Sequence, residues 1–295
     1  MCYSANNPAF PMYDDMRMRE FVHILDELKG IRVLCPHGYG EPLLHSGFLE
    51  MMREVHRRGI KIHLVTNGLL LTLQIAESFL KECDPYGITF SVDAGEAESY
   101  ESIRIGASFS TLLENVRTTV EARNRLNPST KIIFHCVIGS HNINQIEPLS
   151  RLAWQLGVDL VEFDDITLYN VGPADEDHAI RTTGLIGLVN QRSEEMNAKY
   201  APKTRIHFSD PTAIVNCPLP WTQVFVEANG DVCGFGCADL RSPSVSYLGN
   251  IHRMSFKKMW NGDKMQRTRL AFATATVPKD WCCYKCTLYT NPKRW

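Results

Sequence analysis

The sequence lacks an excess of either charge. Lys and Arg total 31 against 33 for Asp and Glu, a formal net charge of −2 over 295 residues. No basic stripe points to nucleic acid and no acidic tail is present. Long apolar runs are also missing: none reaches the roughly 18 residues a membrane-spanning helix needs. The first twenty residues contain no apolar stretch of the secretory kind. There are no internal repeats and no low-complexity segments. No G-x-G-x-x-G follows a strand into a helix, so a dinucleotide fingerprint is absent; Gly38-Tyr39-Gly40 runs into Glu41-Pro42 instead. These absences leave a soluble globular chain, expected in the reducing cytoplasm, with neither membrane nor nucleic acid as partner. At 44% hydrophobic and 22% charged residues it can build one large domain or two smaller ones.

Cysteine is what the chain has in quantity. Ten are present, and in a reducing compartment their chemistry is metal binding or catalysis rather than disulfides. Cys2, Cys35, Cys83 and Cys136 are scattered. Cys217, Cys233, Cys237, Cys282, Cys283 and Cys286 crowd the C-terminal end. Cys35, Cys83 and Cys136 lie in or beside apolar segments and read as small buried hydrophobes.

Between Met18 and Val161 the pattern alternates. Helical spacing over Arg19–Leu28, Phe48–Arg57, Leu73–Lys81, Phe109–Arg123 and Ile146–Leu156 is interleaved with strand signals at Ile31–Leu34, Lys61–Val65, Gly87–Val92, Lys131–Ile138 and Asp159–Phe163. Alternation on this scale means parallel strands joined by crossover helices, with ligands at the C-terminal strand ends. Those ends carry the polar groups Asn67, Asp93, His135, His141, Asp164 and Asp165, candidates for a substrate pocket; His37 and His63 read as structural. The segment 171–210 is polar and reads as a connector holding one helix near Leu185–Asn197. Beyond it, Trp221–Glu227 alternates as a strand, Asn229-Gly230 signals a hairpin turn, Asp231–Cys233 returns, and Phe256–Leu270 reads as one helix. Cys217, Cys283 and Cys286, with Cys233 or Cys237, supply thiolates from a hairpin and a C-x-x-C, an arrangement that holds zinc or an iron–sulfur cluster.

Several motifs in order carry a resemblance. Cys2-Tyr3 matches the end of a C-x-x-x-C-x-x-C motif with its aromatic. Gly40-Glu41-Pro42-Leu43-Leu44-His45 matches a G-G-E-P-like turn, with Tyr39 in place of the first glycine. Val65-Thr66-Asn67-Gly68 matches the next strand end, and Phe90-Ser91-Val92-Asp93 with Tyr100 to Arg104 matches the one after. Cys217-Pro218-Leu219-Pro220-Trp221, Asn229 to Val232, Leu248-Gly249-Asn250-Ile251, Met259-Trp260-Asn261 and Cys283-x-x-Cys286 follow at the C-terminal end. Together these resemble the radical SAM superfamily, in the branch with a C-terminal SPASM or twitch auxiliary-cluster domain.

The resemblance implies an α/β fold: a partial (β/α)6 TIM-like barrel over 1–170, lacking its first strand, the connector 171–210, and a cysteine-rich auxiliary domain over 211–295. It implies a radical S-adenosylmethionine enzyme, an oxidoreductase or a maturase, generating a 5′-deoxyadenosyl radical for hydrogen abstraction from a peptide or a small molecule. The cofactors implied are 4Fe-4S clusters and S-adenosylmethionine, with an electron donor such as flavodoxin or ferredoxin. Gly40 and Glu41 would receive the amino group of S-adenosylmethionine, because an ammonium needs acceptors and a glycine permits close approach. Ser91 would meet its ribose, and Arg104 its carboxylate through a bidentate fork. Alone, Glu41 would read as a helix-start carboxylate. The metal ligands implied are Cys2, Cys217, Cys233, Cys237, Cys283 and Cys286. The other two cysteines of the N-terminal motif would lie before Met1, so the resemblance also implies an N-terminally truncated chain. The competing expectation is a non-catalytic barrel with a structural iron–sulfur or zinc module.

Overall fold

A computed structural model describes residues 14–38, 40–166, 178–209, 217–234, 247–279 and 281. The chain divides into two compact units. Among the described residues, the first holds 31–38, 40–166 and 178–209; the second joins 14–30 to 217–234, 247–279 and 281.

The first unit is built on a six-stranded sheet whose order is the chain order: β1 (Val33–Leu34), β2 (Lys61–Thr66), β3 (Gly87–Ser91), β4 (Lys131–Ile138), β5 (Leu160–Asp165) and β6 (Arg205–Ser209). Every neighbouring pair is parallel. An order that never reverses is the winding of a barrel rather than of a doubly wound sheet, and β1 and β6 remain as edges. The crossovers carry α2 (Phe48–Arg57), α3 (Leu73–Cys83), α4 (Ala97–Ile103), α5 (Phe109–Leu126), α6 (Ile146–Leu156), α7 (Ile180–Thr183) and α8 (Ile186–Tyr200). Strand alternation sorts the two faces. Ile62, Leu64, Ile88, Phe90, Phe134, Cys136, Val161 and Phe163 are fully buried. Their neighbours His63, His135, Glu162 and Asp164 are only partly buried.

The end of the sheet where β4 and β5 begin is locked by Arg123. This buried side chain donates to the carbonyls of Thr130 (2.9 Å) and Gly157 (3.1 Å) and pairs with Asp159 at 2.6 Å. A buried guanidinium this fully satisfied fixes geometry without leaving a stranded charge.

Three sequence expectations are corrected. The stretch read as a connector carries β6, in register with β5 from Leu160↔Arg205 onward. The strand was overlooked because Arg-Ile-His-Phe-Ser is short and polar on alternate residues, as suits an edge. The strand read over Trp221–Glu227 is confined to Phe225–Val226, since residues Leu219–Thr222 close a helical turn after Pro218. The single helix read over Phe256–Leu270 is two, Phe256–Trp260 and Asp263–Ala273, parted at Asn261-Gly262.

In the second unit α1 (Met18–Glu27) lies with the C-terminal residues rather than with the sheet. The His23 ring stacks on His252 at 5.5 Å, and Glu27 accepts the Phe256 amide at 2.9 Å. A small antiparallel sheet, β7 (Phe225–Val226), β8 (Asp231–Cys233) and β9 (Tyr247–Asn250), turns at Asn229-Gly230 as the sequence predicts. Gly230 sits at φ +85°. Cys217, Met265, Phe272 and Val277 form its small core, flanked by Leu219, Leu248, Trp260, Ala271 and Trp281. Arg269 ties the pieces together by donating to the Pro220 and Trp260 carbonyls at 3.0 and 2.9 Å and stacking over the Trp260 ring.

Candidate functional site

The C-terminal ends of β1 to β5 deliver the polar groups of the first unit. Beyond β1, Glu41 caps a 3-10 turn over Pro42–Leu44. Its carboxylate does more than cap. Oε1 accepts the Thr66 hydroxyl at 2.7 Å and the Leu43 amide at 3.3 Å, while Oε2 accepts the Asn67 amide at 2.8 Å. Glu41 is thus bonded to the end of β2, across 25 residues of chain. The turn there is demanding. Gly68 has φ +80°, and a Cβ on it would lie 2.6 Å from the Phe90 ring and 2.7 Å from Leu112. Asn115 of α5 holds the turn by donating to the Gly68 and Leu69 carbonyls at 2.8 and 3.0 Å. Gly40, by contrast, faces open space, with nothing within 4 Å of where a Cβ would stand. Among the described residues, Gly40 is exposed.

Ser91 ends β3 and pairs in register with His135, His135 with Glu162, and Glu162 with His207. These four polar residues form one row across four strands, on the less buried face. His135 Nε2 meets Asp164 Oδ2 at 2.8 Å. Burial alone would lower the His135 pKa, but the Asp164 hydrogen bond and charge, with Asp93 and Glu162 nearby, outweigh it and raise the value. Further along this face His63 is lowered, by burial and then by His37, and its two ring nitrogens bond the Tyr86 hydroxyl (2.9 Å) and Thr89 (2.8 Å).

Arg104 follows α4 and pairs with Asp93 at 2.7 Å; the Asp93 side chain is 2% exposed and also accepts the Val137 amide at 3.0 Å. The Arg104 Nε and the Tyr100 hydroxyl are buried without a partner among the described residues. Such groups are rare in a finished site and mark places where a ligand can complete the bonding. Of the other candidates, Asp165 is buried and accepts the Ile180 amide at 2.7 Å, a structural role, and His141 packs edge-on against His178. Asn67 contributes its backbone amide to Glu41, and its side chain accepts from Leu69. Burial raises the thiols of Cys35 and Cys83 to about 12 and raises that of Cys136 as well, which keeps all three protonated.

In the second unit Cys217 and Cys233 are buried. A cavity of about 300 Å³ is lined by Cys217, Trp221, Phe272 and Ala273. Cys2, Cys237, Cys283 and Cys286 lie outside the described residues. Among the described residues no group of three or more His, Cys, Asp or Glu side chains is arranged to hold a metal ion. The sequence singled out Gly40, Glu41, Ser91 and Arg104 one at a time. It named Thr66 and Asp93 without their pairings to Glu41 and Arg104, and it did not single out Asn115 behind the Gly68 turn or Glu162 and His207 in the Ser91 row. Only strand register could have shown the last of these.

Comparison with known proteins places both units. The family model described as the radical SAM superfamily matches residues 1–153, and that of the SPASM iron–sulfur cluster-binding domain matches 217–287. A tungsten-containing aldehyde ferredoxin oxidoreductase cofactor-modifying protein of Pyrococcus furiosus is 30% identical over 156 residues, 49% of this chain and 42% of that protein. The mycofactocin maturase MftC of Mycolicibacterium smegmatis is 26% identical over 160 residues, 54% of this chain and 39% of that one. The chain thus spans less than half the length of these curated relatives. Among solved structures, SuiB of Streptococcus suis bound to S-adenosylmethionine superposes with a TM-score of 0.66 at 15% identity, covering 95% of this chain and 65% of that one. The anSMEcpe structure with AdoMet and a Kp18Cys peptide gives 0.62 at 19% identity, covering 94% and 80%. At those identities the likeness is one of fold.

Proposed function

We propose a function for this chain from the premise that it belongs to the radical SAM superfamily, with an iron–sulfur cluster-binding domain at its C-terminal end. It is a radical S-adenosylmethionine enzyme that modifies a peptide, and the observation that carries the reading is the Glu41 carboxylate fixed beside the open volume at Gly40. When bound, the 4Fe-4S cluster and S-adenosylmethionine supply reductive cleavage of the cofactor and removal of a hydrogen atom from the substrate.

The chain's own residues fit that cofactor. Glu41 holds an acceptor ready for the amino group. The Gly40 backbone can be approached closely, because among the described residues nothing lies within 4 Å of where its Cβ would stand. Ser91 stands at the next strand end but one, where a ribose hydroxyl can be bonded. Arg104 keeps one donor, its Nε, uncommitted while Asp93 anchors the guanidinium. The polar row His135, Glu162 and His207, with Asp164, faces the side on which a substrate would lie and offers both donors and acceptors to a peptide backbone. A peptide substrate is supported by MftC, a maturase by name, and by SuiB, one of whose structures holds the precursor peptide SuiA. In the second unit Cys217 and Cys233, with Cys237 as the alternative to Cys233, and Cys283 and Cys286 would hold an auxiliary 4Fe-4S cluster. The cavity beside Cys217 gives it room. Cys2 would serve the first cluster. A small ferredoxin or flavodoxin would deliver the electron, in the cytoplasm. No helix among the described residues is long and apolar enough to cross a membrane.

The test is anaerobic reconstitution with iron and sulfide, using protein expressed with any in-frame coding sequence upstream of Met1. About eight irons per chain and dithionite-dependent formation of 5′-deoxyadenosine support the proposal, since two 4Fe-4S clusters hold about four irons each. About four irons with no cleavage favours the structural-module reading instead.

A further inference from the structure

The Glu41 carboxylate has about four lone-pair sites. Three are filled from inside the protein: Thr66 Oγ1 and the Leu43 amide on Oε1, and the Asn67 amide on Oε2. Among the described residues no donor fills the remaining site, on Oε2. A free glutamate on a turn samples several rotamers and must be frozen when a cation arrives, which costs affinity. Here that cost is met before the ligand comes.

The frozen carboxylate depends on one side chain above all. Thr66 is the last residue of β2 and is 2% exposed. Its hydroxyl donates to Glu41 at 2.7 Å and accepts the Gly68 amide at 3.0 Å, so its single proton is committed to Glu41. The amide of Asn67 is aimed at Oε2 only because the chain turns at Gly68, and that turn is held by Thr66 from one side and Asn115 from the other. A threonine that served the sheet alone would need no hydroxyl; valine fills the same volume.

We infer that Thr66 is a positioning residue for S-adenosylmethionine: without touching the cofactor, it sets the rotamer and the spare acceptor of Glu41 that receives the cofactor's ammonium. The inference rests on the reading of Glu41 proposed above and extends it to a residue that reading does not use. It also separates the two halves of the Thr66-Asn67 pair. The hydroxyl and the backbone amide belong to the clamp, while the Asn67 side chain, bonded to the Leu69 amide at 2.9 Å, does not.

The experiment is S-adenosylmethionine titration by calorimetry into anaerobically reconstituted protein, expressed with any in-frame upstream sequence, for the wild type and for Thr66→Ser, Thr66→Cys, Thr66→Val and Glu41→Gln. A hydrogen bond to a charged group predicts about tenfold weaker binding for Thr66→Val. Thr66→Ser keeps the donor and should bind like the wild type, and Thr66→Cys, a weaker donor, should fall between. In the Glu41→Gln background Thr66→Val should cost less, because the amide oxygen still accepts the Thr66 hydroxyl but no longer carries the charge that strengthens the bond. Equal affinity across the Thr66 series overturns the inference, as does a loss for Thr66→Val that is undiminished when Glu41 is already Gln. If Thr66→Val does not fold, the order of Ser and Cys alone decides. Should the iron-loaded wild type bind no S-adenosylmethionine, the reading of Glu41 fails and the inference with it. Failure of the Thr66 series with normal wild-type and weakened Glu41→Gln binding leaves that reading standing and removes only the clamp.

Discussion

The two units of this chain achieve order by different means. The sheet unit has a deep apolar core, from Ile62 and Leu64 through Phe90 and Phe134 to Phe163, all with no solvent exposure. Its polar site is a thin layer laid on that core at the strand ends. Among the described residues of the second unit, Cys217 packs with Met265, Phe272 and Val277 in one small cluster, beside a three-stranded sheet whose longest strand has four residues. Small units of this kind are often held together by a metal or disulfides. The contrast frames where a cofactor would act as structure: the first unit lays its polar groups on a packed apolar core, whereas the thiolates proposed for a cluster belong to the second.

The strongest way to break this comparison is Cys217→Ser. If the second unit depends on a cluster, the substitution should cost it more than about 4 kcal/mol and remove iron. Hydrogen exchange should show lost protection over 217–281 and none over β2 to β5. Uniform loss in both units would contradict the division. Next in size is Gly68→Ala. A left-handed backbone combined with a Cβ against Phe90 and Leu112 should destabilise the sheet unit by about 3 kcal/mol in urea unfolding. That effect is independent of iron.

Two pH effects sharpen the picture further. The His135 pKa is raised in the folded state, so its contribution to stability is complete below the ordinary value of 6.5 and disappears as pH rises through the folded value. Asp164→Asn should lower that pKa, read by NMR of the imidazole C2 proton, and flatten this part of the stability profile. The other pH effect lies in the second unit. Burial, and then the Asp231 charge, raise Glu227 from 4.5 to about 7. A raised carboxylate stabilises the fold below 4.5 and loses that contribution as pH climbs through 7. Glu227→Gln should therefore make the second unit more resistant to unfolding above pH 7 and remove the slope between 4.5 and 7.

Much of this was legible in the sequence. Phe48–Arg57, Lys131–Ile138 and Ile146–Leu156 are bounded in the structure as their periodicity predicts, because strong apolar spacing and clear stops at Gly59, Gly139 and Gly157 leave little choice. β6 was not legible, since an edge strand with Arg205 and His207 exposed has no apolar alternation beyond Ile206 and Phe208. Nor was the placement of α1, whose amphipathic face does not state which partner it meets. At the site, Glu41 and Arg104 were visible as residue types. That Thr66 and Asp93 are the partners that fix them was not, because a pairing such as Thr66 with Glu41, across 25 residues, leaves no local pattern.

The most direct measurement of the central claim is dithionite-driven cleavage of S-adenosylmethionine by anaerobically reconstituted protein, expressed with any in-frame upstream sequence, wild type beside Glu41→Gln. The account predicts 5′-deoxyadenosine from the wild type, far less from Glu41→Gln at the same S-adenosylmethionine concentration, and equal iron content and thermal stability in both. No 5′-deoxyadenosine from iron-loaded wild type, or equal amounts from the two proteins, would contradict it.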